Sequence, residues 1–331
     1  MNGCLAILGA GSWGTALSVV LAPRFEHVRL WARRAELAAA MESGRQNHEY
    51  LPGVTIPANV SVHCVANEAM EGADLLLCVL PSRAVRAFFE QAAIDPDLPV
   101  VSATKGLEAG TLLRMSQVIA QAAGSRRVAA LSGPSFAAEV AAGHPTAVVV
   151  ASEDVALARL VQAAFSGLTF RVYTSTDPIG VELGGAYKNV VAIGAGVCHG
   201  LGLGSNAISA LITRGLAEMT RLAIKMTARE STLAGLAGLG DLVLTCTGNL
   251  SRNRAVGEHL AHGESIAGVL GGMRMVAEGV GTTRSVVELG QLHGEELPIA
   301  CQMDAMLNFG RKPREAIQLL MERALKSESQ E

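Results

Sequence analysis

The 331-residue sequence has no excess of basic residues and no cysteine pattern typical of a metal site. Lysine and arginine total 27 against 30 acidic residues, a formal net charge of −3. This balance argues against a nucleic-acid-binding protein, which needs positive charge to neutralise phosphates. The six cysteines are scattered, without a C-x-x-C pair or a His–Cys cluster at ligand spacing. We therefore expect reduced core thiols, with no disulfide and no metal.

The sequence also lacks the segments that direct a chain into or across a membrane. No apolar run approaches the roughly 18 residues that a membrane span needs. The first residues lead directly into a predicted strand, without a basic region or a cleavage site. We therefore expect a cytoplasmic protein with no secretory signal and no membrane span.

What the sequence has in abundance is apolar residues and glycine. Half of the residues are hydrophobic, 17% are charged and 36 are glycine. This composition is typical of α/β packing with buried parallel strands. The length exceeds the size at which one core usually keeps growing, so we expect two domains.

A glycine-rich turn lies between the first predicted strand and the first predicted helix. Cys4–Leu8 is a short apolar run, and Thr15–Ala22 has helical apolar spacing. The G-x-G-x-x-G motif between them consists of Gly9, Gly11 and Gly14. In a dinucleotide fingerprint these glycines respectively make a tight turn, admit the pyrophosphate, and let the helix pack closely on the strand. The pattern predicts a dinucleotide site.

The end of the second predicted strand, His27–Trp31, indicates which dinucleotide binds. An acidic residue at this point would favour NAD, but the sequence has Arg33 and Arg34. Two guanidinium groups suit a 2′-phosphate, so we expect NADP(H) to be preferred, with NAD(H) also accepted. The alternative is a solvated helix start in which Arg34 points away from the cofactor.

Further strand signals alternate with helical ones, which predicts a doubly wound, mostly parallel Rossmann sheet. In such sheets ligands bind at the carboxyl ends of the strands, where Lys105 and the Ser132–Phe136 turn fall. Lys105 suits a phosphate or an oxyanion, although an ordinary surface-loop lysine fits equally well. The additional predicted strands are Asp74–Leu80, Pro99–Ala103, Arg127–Leu131, Ala147–Ala151 and Thr169–Tyr173.

Strand signals cease after Asp177-Pro178, and helical spacing follows over Asn206–Met226 and Pro313–Lys326. We therefore predict a dinucleotide-binding Rossmann domain over residues 1–180 and an all-helical substrate and catalytic domain over 181–331. The long apolar helices of the second domain permit a homodimer, or they close on one another.

Lys188 is the only basic residue in the apolar stretch Val181–Val197. An ammonium group among Gly, Ala, Val and Ile loses hydration, which makes it a usable proton donor or acceptor. Asn189 beside it offers hydrogen-bond donors and acceptors. The alternative is a buried helix whose lysine extends to the surface.

A second polar concentration follows a glycine-dense segment that ends at Asp241, a candidate partner for a cation or a substrate hydroxyl. Ser251 resembles an N-cap, and Arg252 and Asn253 follow in the first helical turn. Arginine at a helix N-terminus adds positive potential to the positive end of the dipole, which suits a bound phosphate. The alternative is an exposed helix start with Arg254 in a surface salt bridge.

Taken together, these segments resemble the bacterial-type NAD(P)-dependent glycerol-3-phosphate dehydrogenases. The resemblance runs in order from residue 5 to about 325. The family implies a Rossmann domain followed by a helical domain, and interconversion of dihydroxyacetone phosphate and sn-glycerol 3-phosphate for glycerophospholipid synthesis. The motifs that carry it are GAGSWGTAL (Gly9–Leu17), SGPSF (Ser132–Phe136), ELGGAYKNV (Glu182–Val190), GLGDLVLTCT (Gly238–Thr247) and LSRNRAVG (Leu250–Gly257).

The resemblance also implies roles for individual residues, with Lys188 as the general acid/base on the C2 oxygen. Trp13 fits a core position as well as a cofactor contact, and Gly281-Thr-Thr283 stands where a bulkier residue is expected. Residues implied at the substrate are Lys105, Gly133, Ser135, Lys188, Asp241, Ser251, Arg252 and Asn253. Residues implied at the cofactor are Gly9, Gly11, Ser12, Trp13, Gly14, Arg33, Arg34, Tyr50, Lys105, Ala137, Arg252, Val276 and Glu278.

Two other classes of protein share parts of this pattern. A Rossmann-type dehydrogenase acting on a hydroxy acid would keep the features of the first 180 residues, but it has no need of Ser251-Arg252-Asn253. A non-catalytic NAD(P)-sensing protein would keep the glycine motif, but it has no reason to bury Lys188.

Overall fold

The computed structural model describes residues 3–273, 277–325 and 327. The chain divides into two compact units. One comprises Met1–Lys105 and Arg114–Val181, and the other comprises Gly106–Leu113 and Glu182–Glu331. The first unit is an α/β fold and the second is helical, which confirms the predicted fold class.

The first unit is built on an eight-stranded sheet with the order β10-β9-β8-β7-β6-β1-β2-β5. Its pairs are parallel except for β8 and β9, which are antiparallel. The remaining strands, β3 and β4, form a separate antiparallel pair. The strands are β1 Cys4–Leu8, β2 His27–Trp31, β3 Gln46–Asn47, β4 Leu51–Thr55, β5 Val60–His63, β6 Leu75–Cys78, β7 Val100–Ser102, β8 Val128–Ser132, β9 Thr146–Ala151 and β10 Phe170–Ser175.

The strand order places the topological switch point between β1 and β6. From β1 the chain builds outward through β2 to β5, and then returns to build β6, β7 and β8 on the other side. The carboxyl ends of β1 and β6 therefore flank the crevice where doubly wound sheets bind their ligands.

The strands β1 and β2 have the predicted bounds, whereas β3, β4 and β5 were not predicted. The edge strand β5, Val60–His63, alternates buried and half-buried residues but is only four residues long. So short an alternation is weak beside the apolar runs that form the sheet centre.

Helices cover the sheet of the first unit. Leu17 and Leu21 of the first helix and Phe165 of the last pack in the same buried cluster as alternate residues of the strands. The helices are α1 Ser12–Leu21, α2 Ala35–Gly44, α3 Ala66–Met70, α4 Ser82–Phe89, α5 Met115–Ala123, α6 Ala137–Ala141 and α7 Val155–Phe165, with a 3-10 turn at Ala22–Arg24.

The second unit has no strand among its described residues. Its longest helix is the Lys188 helix, which begins at Pro178 in the first unit and continues to Gly200. The helices are α8 Pro178–Gly200, α9 Gly204–Lys225, α10 Glu230–Leu233, α11 Asp241–Thr247, α12 Arg252–Ala261, α13 Ile266–Gly272, α14 Glu278–His293, α15 Pro298–Phe309 and α16 Pro313–Met321, with a π-helical turn at Leu236–Gly240.

Glycines allow α8 and α12 to approach at backbone distance. A Cβ atom on Gly196 would lie 1.9 Å from the carbonyl oxygen of Arg254, and one on Gly257 would lie 1.9 Å from that of Ile193. Since no side chain fits between these helices, α8 is held tightly against the helix that follows Ser251. The glycine content of the Lys188 stretch thus serves helix packing.

All six cysteines are free thiols, as predicted, but two of them are not in the core. Cys64 and Cys301 are exposed. Burial raises the pKa of Cys78 to about 11 and that of Cys246 to about 12, so these thiols stay protonated near neutral pH.

Among the described helices none alone is long and apolar enough to cross a membrane, although the bent pair Glu230–Thr247 and Arg252–Ala261 meets the length and composition test jointly. Within the described residues, no group of three or more His, Cys, Asp or Glu side chains could hold a metal ion.

Candidate functional site

The glycine-rich turn of the first unit has the geometry that a dinucleotide requires. Gly9 has φ +120°, a conformation that L side chains rarely adopt. A Cβ atom on Gly14 would lie 1.8 Å from the carbonyl oxygen of Gly9, so only glycine fits there. A Cβ atom on Gly11 would instead meet no described atom within 4 Å. The turn is therefore closed on its protein side and open at Gly11, where a pyrophosphate would approach.

The N-terminus of α1 is available to an anion. Gly11 occupies the N-cap position in an extended conformation and has no side chain to cap the helix. The first amides of the helix, at Ser12 and Trp13, are the groups that hold phosphate oxygens in dinucleotide folds. The Trp13 ring is half-buried and packs against the hydrophobic core, as one of its two interpretations required.

Asn47 connects the segment that contains Tyr50 with the glycine-rich turn through hydrogen bonds. Its fully buried side chain donates to the carbonyl oxygen of Ala10 (2.9 Å) and to the hydroxyl of Thr15 (2.8 Å). Its amide oxygen accepts from the backbone N–H of Tyr50 (3.1 Å). This segment is therefore positioned by the same turn that would bind the pyrophosphate.

Arg33 and Arg34 are both exposed after the end of β2. Arg34 forms a salt bridge with Glu49, and its guanidinium carbon lies 5.9 Å from the centre of the Tyr50 ring. The hydrogen bond to Glu49 raises the pKa of Arg34. Burial, followed by the hydrogen bond to Glu49, raises the pKa of Tyr50. Arg34 therefore contacts Glu49 and Tyr50, and whether it also contacts the cofactor stays a prediction.

The SGPSF turn and Lys105 meet at the carboxyl ends of β7 and β8. The Lys105 ammonium donates to the carbonyl oxygen of Gly133 (3.2 Å), which also accepts from the Ser135 hydroxyl (3.0 Å). Gly133 has φ +134°, and α6 begins at Ala137. Lys105 is half-buried and bonded to this turn, and its contact with a phosphate or an oxyanion stays a prediction.

In the second unit Lys188 is buried and paired. Its ammonium lies 2.5 Å from a carboxylate oxygen of Asp241 and 2.7 Å from the hydroxyl of Thr245. Only 8% of the Lys188 side chain and 1% of the Asp241 side chain are exposed. Lys188 therefore does not extend to the surface, and Asp241 is its partner.

The amides of Asn189 and Asn253 extend this polar cluster. The Asn253 amide donates to the Asn189 side-chain oxygen (2.9 Å). The oxygen of the Asn253 amide accepts from the backbone N–H of Gly279 (2.9 Å). Asn253 thus connects the Lys188 helix with the N-terminus of α14, which begins at Glu278.

The helix after Ser251 has the predicted cap and the predicted basic start. The Ser251 hydroxyl accepts from the backbone N–H of Arg254 (3.2 Å). Burial lowers the pKa of Arg252, and the charge of Glu278 partly opposes this effect. Arg254 is buried, and its guanidinium contacts Glu258 (2.9 Å) and Asn249 (2.9 Å). The salt bridge of the alternative interpretation is therefore present, but its arginine is buried and its glutamate is only partly exposed.

The predicted site residues thus form two clusters in the first unit, at the glycine turn and at the SGPSF turn, and in the second unit they lie around Lys188 and at the start of α12. Val276 lies outside the described residues. Gly281-Thr-Thr283 is the segment where the family resemblance leads us to expect a bulkier residue. Gly281 is exposed, whereas Thr282 and Thr283 are buried. The Thr283 hydroxyl donates to the Gly279 carbonyl (2.7 Å).

Two family models match the chain. The model for the N-terminus of NAD-dependent glycerol-3-phosphate dehydrogenase covers residues 4–158, and the model for its C-terminus covers 177–318. The chain belongs to this family.

Individual relatives are similar over nearly their whole length. The glycerol-3-phosphate dehydrogenase (NAD(P)+) of Koribacter versatilis is 52% identical, over 96% of this chain and 97% of its own. The enzyme of the same name from Nitratidesulfovibrio vulgaris is 50% identical, over 98% and 99%. The crystal structure of glycerol-3-phosphate dehydrogenase from Coxiella burnetii superimposes with a TM-score of 0.94 at 42% identity, covering 97% of this chain and 99% of that one.

Three residues that contact the candidate site residues were not themselves predicted as site residues from the sequence. Thr245 follows Asp241 by one helical turn, so an i, i+4 reading of α11 could have found it. Asn47 ends the two-residue strand β3 and Glu49 lies in the turn that follows it. This segment carries no motif, so only the structure shows the contacts of these residues with the glycine turn and with Arg34.

Proposed function

We propose that this chain is an NAD(P)-dependent sn-glycerol-3-phosphate dehydrogenase that reduces dihydroxyacetone phosphate. The observation that carries the proposal is the buried Lys188–Asp241–Thr245 cluster, adjacent in the same unit to a helix that starts with Arg252. A paired buried ammonium is a proton donor, and a basic helix N-terminus is a phosphate site.

Lys188 would donate a proton to the oxygen that forms at C2 of the substrate. Asp241 and Thr245 hold the ammonium in place, so that little reorganisation is needed when the proton moves. Asn253 donates to the side chain of Asn189, the residue next to Lys188 in α8. The nicotinamide, when bound, supplies the hydride, and the protein supplies orientation and charge.

We assign the phosphate of the substrate to Ser251, Arg252 and Asn253. Binding energy gained at a phosphate remote from C2 helps to orient the carbonyl for reaction. From the family resemblance, Lys105, Gly133 and Ser135 also contact the substrate, and Ala137, Val276 and Glu278 contact the cofactor. We assign the dinucleotide-binding fold to the domain of residues 1–180 and the catalytic lysine to residues 181–331, with some contacts to the cofactor and to the substrate coming from the other domain in each case.

We propose that NADP(H) is preferred over NAD(H). Arg33 and Arg34 are exposed beyond β2, the strand whose end reads the adenosine ribose in Rossmann folds. Guanidinium groups there favour a 2′-phosphate. Tyr50 packs beside Arg34, which suits contact with the adenosine end of the cofactor.

The direct test follows nicotinamide absorbance with dihydroxyacetone phosphate, using NADPH and NADH in parallel. Rapid oxidation would support the reaction, and faster oxidation of NADPH at low concentration would support the preference. Binding of NADPH without oxidation would overturn the proposed activity and favour a sensor.

A second substrate separates this proposal from a hydroxy-acid dehydrogenase. We expect oxidation with the phosphate ester but not with a keto acid of the same carbon skeleton. Arg252→Ala should chiefly raise KM for the phosphate ester, and an unchanged KM would remove Arg252 from the phosphate site.

We further propose that the sn-glycerol 3-phosphate produced supplies glycerophospholipid synthesis in the cytoplasm. The homodimer stays a prediction, which light scattering coupled to size-exclusion chromatography checks.

A further inference from the structure

The turn between β3 and β4 brings the Glu49 carboxylate to the place where the cofactor's 2′-substituent would bind. Arg34, which we have assigned to that substituent, is not an isolated cation: Glu49 bonds to it. The pair is partly open to solvent, with 47% of the Arg34 side chain and 34% of the Glu49 side chain exposed. A cofactor group that reaches Arg34 therefore also reaches Glu49.

The position of Glu49 is fixed by the fold. Asn47, two residues earlier, is buried and bonded to Ala10 and Thr15 in and after the glycine turn. The backbone N–H of Tyr50, one residue later, donates a hydrogen bond to the side-chain oxygen of Asn47. Glu49 thus lies between two anchored residues, on a loop attached to the turn that receives the pyrophosphate.

The two ligands that distinguish NAD from NADP would meet this carboxylate in opposite ways. A ribose 2′-hydroxyl can donate a hydrogen bond to a carboxylate, which is how acidic residues select NAD in Rossmann folds. A 2′-phosphate is repelled by the carboxylate and must compete with it for the guanidinium of Arg34. The end of β2 offers no acid, but the loop does.

We propose that Glu49 is a specificity-determining residue that moderates the preference for NADP(H) and keeps NAD(H) usable. This inference rests on the proposed assignment of Arg34 to the 2′-phosphate. With NADPH bound, Arg33 and Arg34 hold the phosphate against the field of Glu49. With NADH bound, Glu49 accepts from the 2′-hydroxyl.

The test measures binding of two cofactor fragments to the full chain by calorimetry, without turnover. The fragments are ADP-ribose and its 2′-phosphorylated form, and the variant is Glu49→Gln, which keeps the shape and removes the charge. We expect the affinity ratio in favour of the phosphorylated fragment to rise about two- to five-fold, the range of an exposed ion pair. An unchanged or lowered ratio would overturn the role of Glu49.

Asp97→Asn is the matched control. Asp97 forms an exposed two-point pair with Arg126 (3.0 and 2.7 Å), in the loop that precedes β7 and thus at the end of the strand opposite to its ligand-binding end. Removing this charge should leave the ratio unchanged. A change equal to that of Glu49→Gln would mean that net charge alone moves the ratio, and would overturn the proposal.

Arg34→Ala separates failure of this inference from failure of the assignment on which it rests. If Arg34→Ala lowers the ratio while Glu49→Gln leaves it unchanged, only the role of Glu49 is wrong. If neither variant changes the ratio, the 2′-phosphate is not read by Arg34, and the proposed basis of cofactor preference fails as well.

Discussion

The groups assigned to the cofactor and those assigned to catalysis are built in different ways. In the first unit, Arg33, Arg34 and Glu49 stand at a strand end and on a loop, at least partly exposed to solvent. In the second, Lys188 and Asp241 are buried and bonded to each other. A change at the exposed groups should alter ligand binding alone, whereas a change at the buried groups should alter stability as well.

The magnitudes expected for the two regions follow from this difference. An exposed ion pair contributes about 0–1 kcal/mol, because water screens it and ordering two long side chains costs entropy. Removing one partner of a buried pair costs about 3–5 kcal/mol, because the remaining charge stays buried without compensation. The variants below test the contrast, from the largest expected effect to the smallest.

Lys188→Met should have the largest effect on turnover. The variant keeps an unbranched side chain but has no proton to donate, so we expect kcat to fall about 10²- to 10⁴-fold. The affinity for NADPH should stay near normal, since we assign the cofactor's contacts to other residues. Steady-state kinetics and a fluorescence titration with NADPH measure the two effects.

Lys225→Met is the control for this prediction. Lys225 is the exposed last residue of α9, and its loss should leave kcat unchanged. If Lys188→Met retained the turnover of the Lys225 variant, the proton-transfer role of Lys188 would be excluded.

Asp241→Leu should lower the free energy of unfolding by about 3–5 kcal/mol, because it removes the carboxylate that neutralises the buried Lys188 ammonium. Adding Lys188→Met should recover part of this loss, since no buried charge then remains. Denaturant unfolding of the single variants and the double variant measures the coupling. The 2.5 Å separation indicates that the two side chains are energetically coupled. If the double variant loses the sum of the free energies of unfolding lost by the single variants, this coupling is absent.

The fold could be predicted further from the sequence than the site could. A glycine motif after an apolar run is enough to predict the backbone conformation of the turn. Gly9 makes the tight turn and Gly14 allows the close packing that were predicted. The Lys188 stretch was identified as unusual because a single charge stood among apolar residues. Its partners Asp241 and Thr245 are more than 50 residues away, and pairing at that separation is decided by helix packing, which no local pattern encodes.

Gly11→Ala and Gly14→Ala should separate ligand binding from stability within one turn. A methyl group at Gly14 would meet the Gly9 carbonyl at 1.8 Å, so we expect overpacking to cost about 3 kcal/mol. At Gly11 it would meet no described atom within 4 Å, so thermal stability should be unchanged. The affinity for NADPH should nevertheless fall about ten-fold. The added methyl group would keep the pyrophosphate away from the backbone, and the lost interaction is comparable to one hydrogen bond to a charged group. Unchanged NADPH affinity in Gly11→Ala would place the pyrophosphate elsewhere.

Thr245→Val should have the smallest effect, and α11 offers a close control. Both Thr245 and Thr247 donate their hydroxyl to the carbonyl one turn earlier, at 2.6 and 2.8 Å, but only Thr245 accepts from Lys188. Losing that acceptor removes one hydrogen bond that positions the ammonium, so we expect kcat to fall about ten-fold, the value of one hydrogen bond to a charged group. Thr247→Val removes the same kind of backbone bond from an exposed residue and should leave kcat unchanged. Equal losses in the two variants would mean that the hydroxyls support only the helix, and that Asp241 is sufficient to position Lys188.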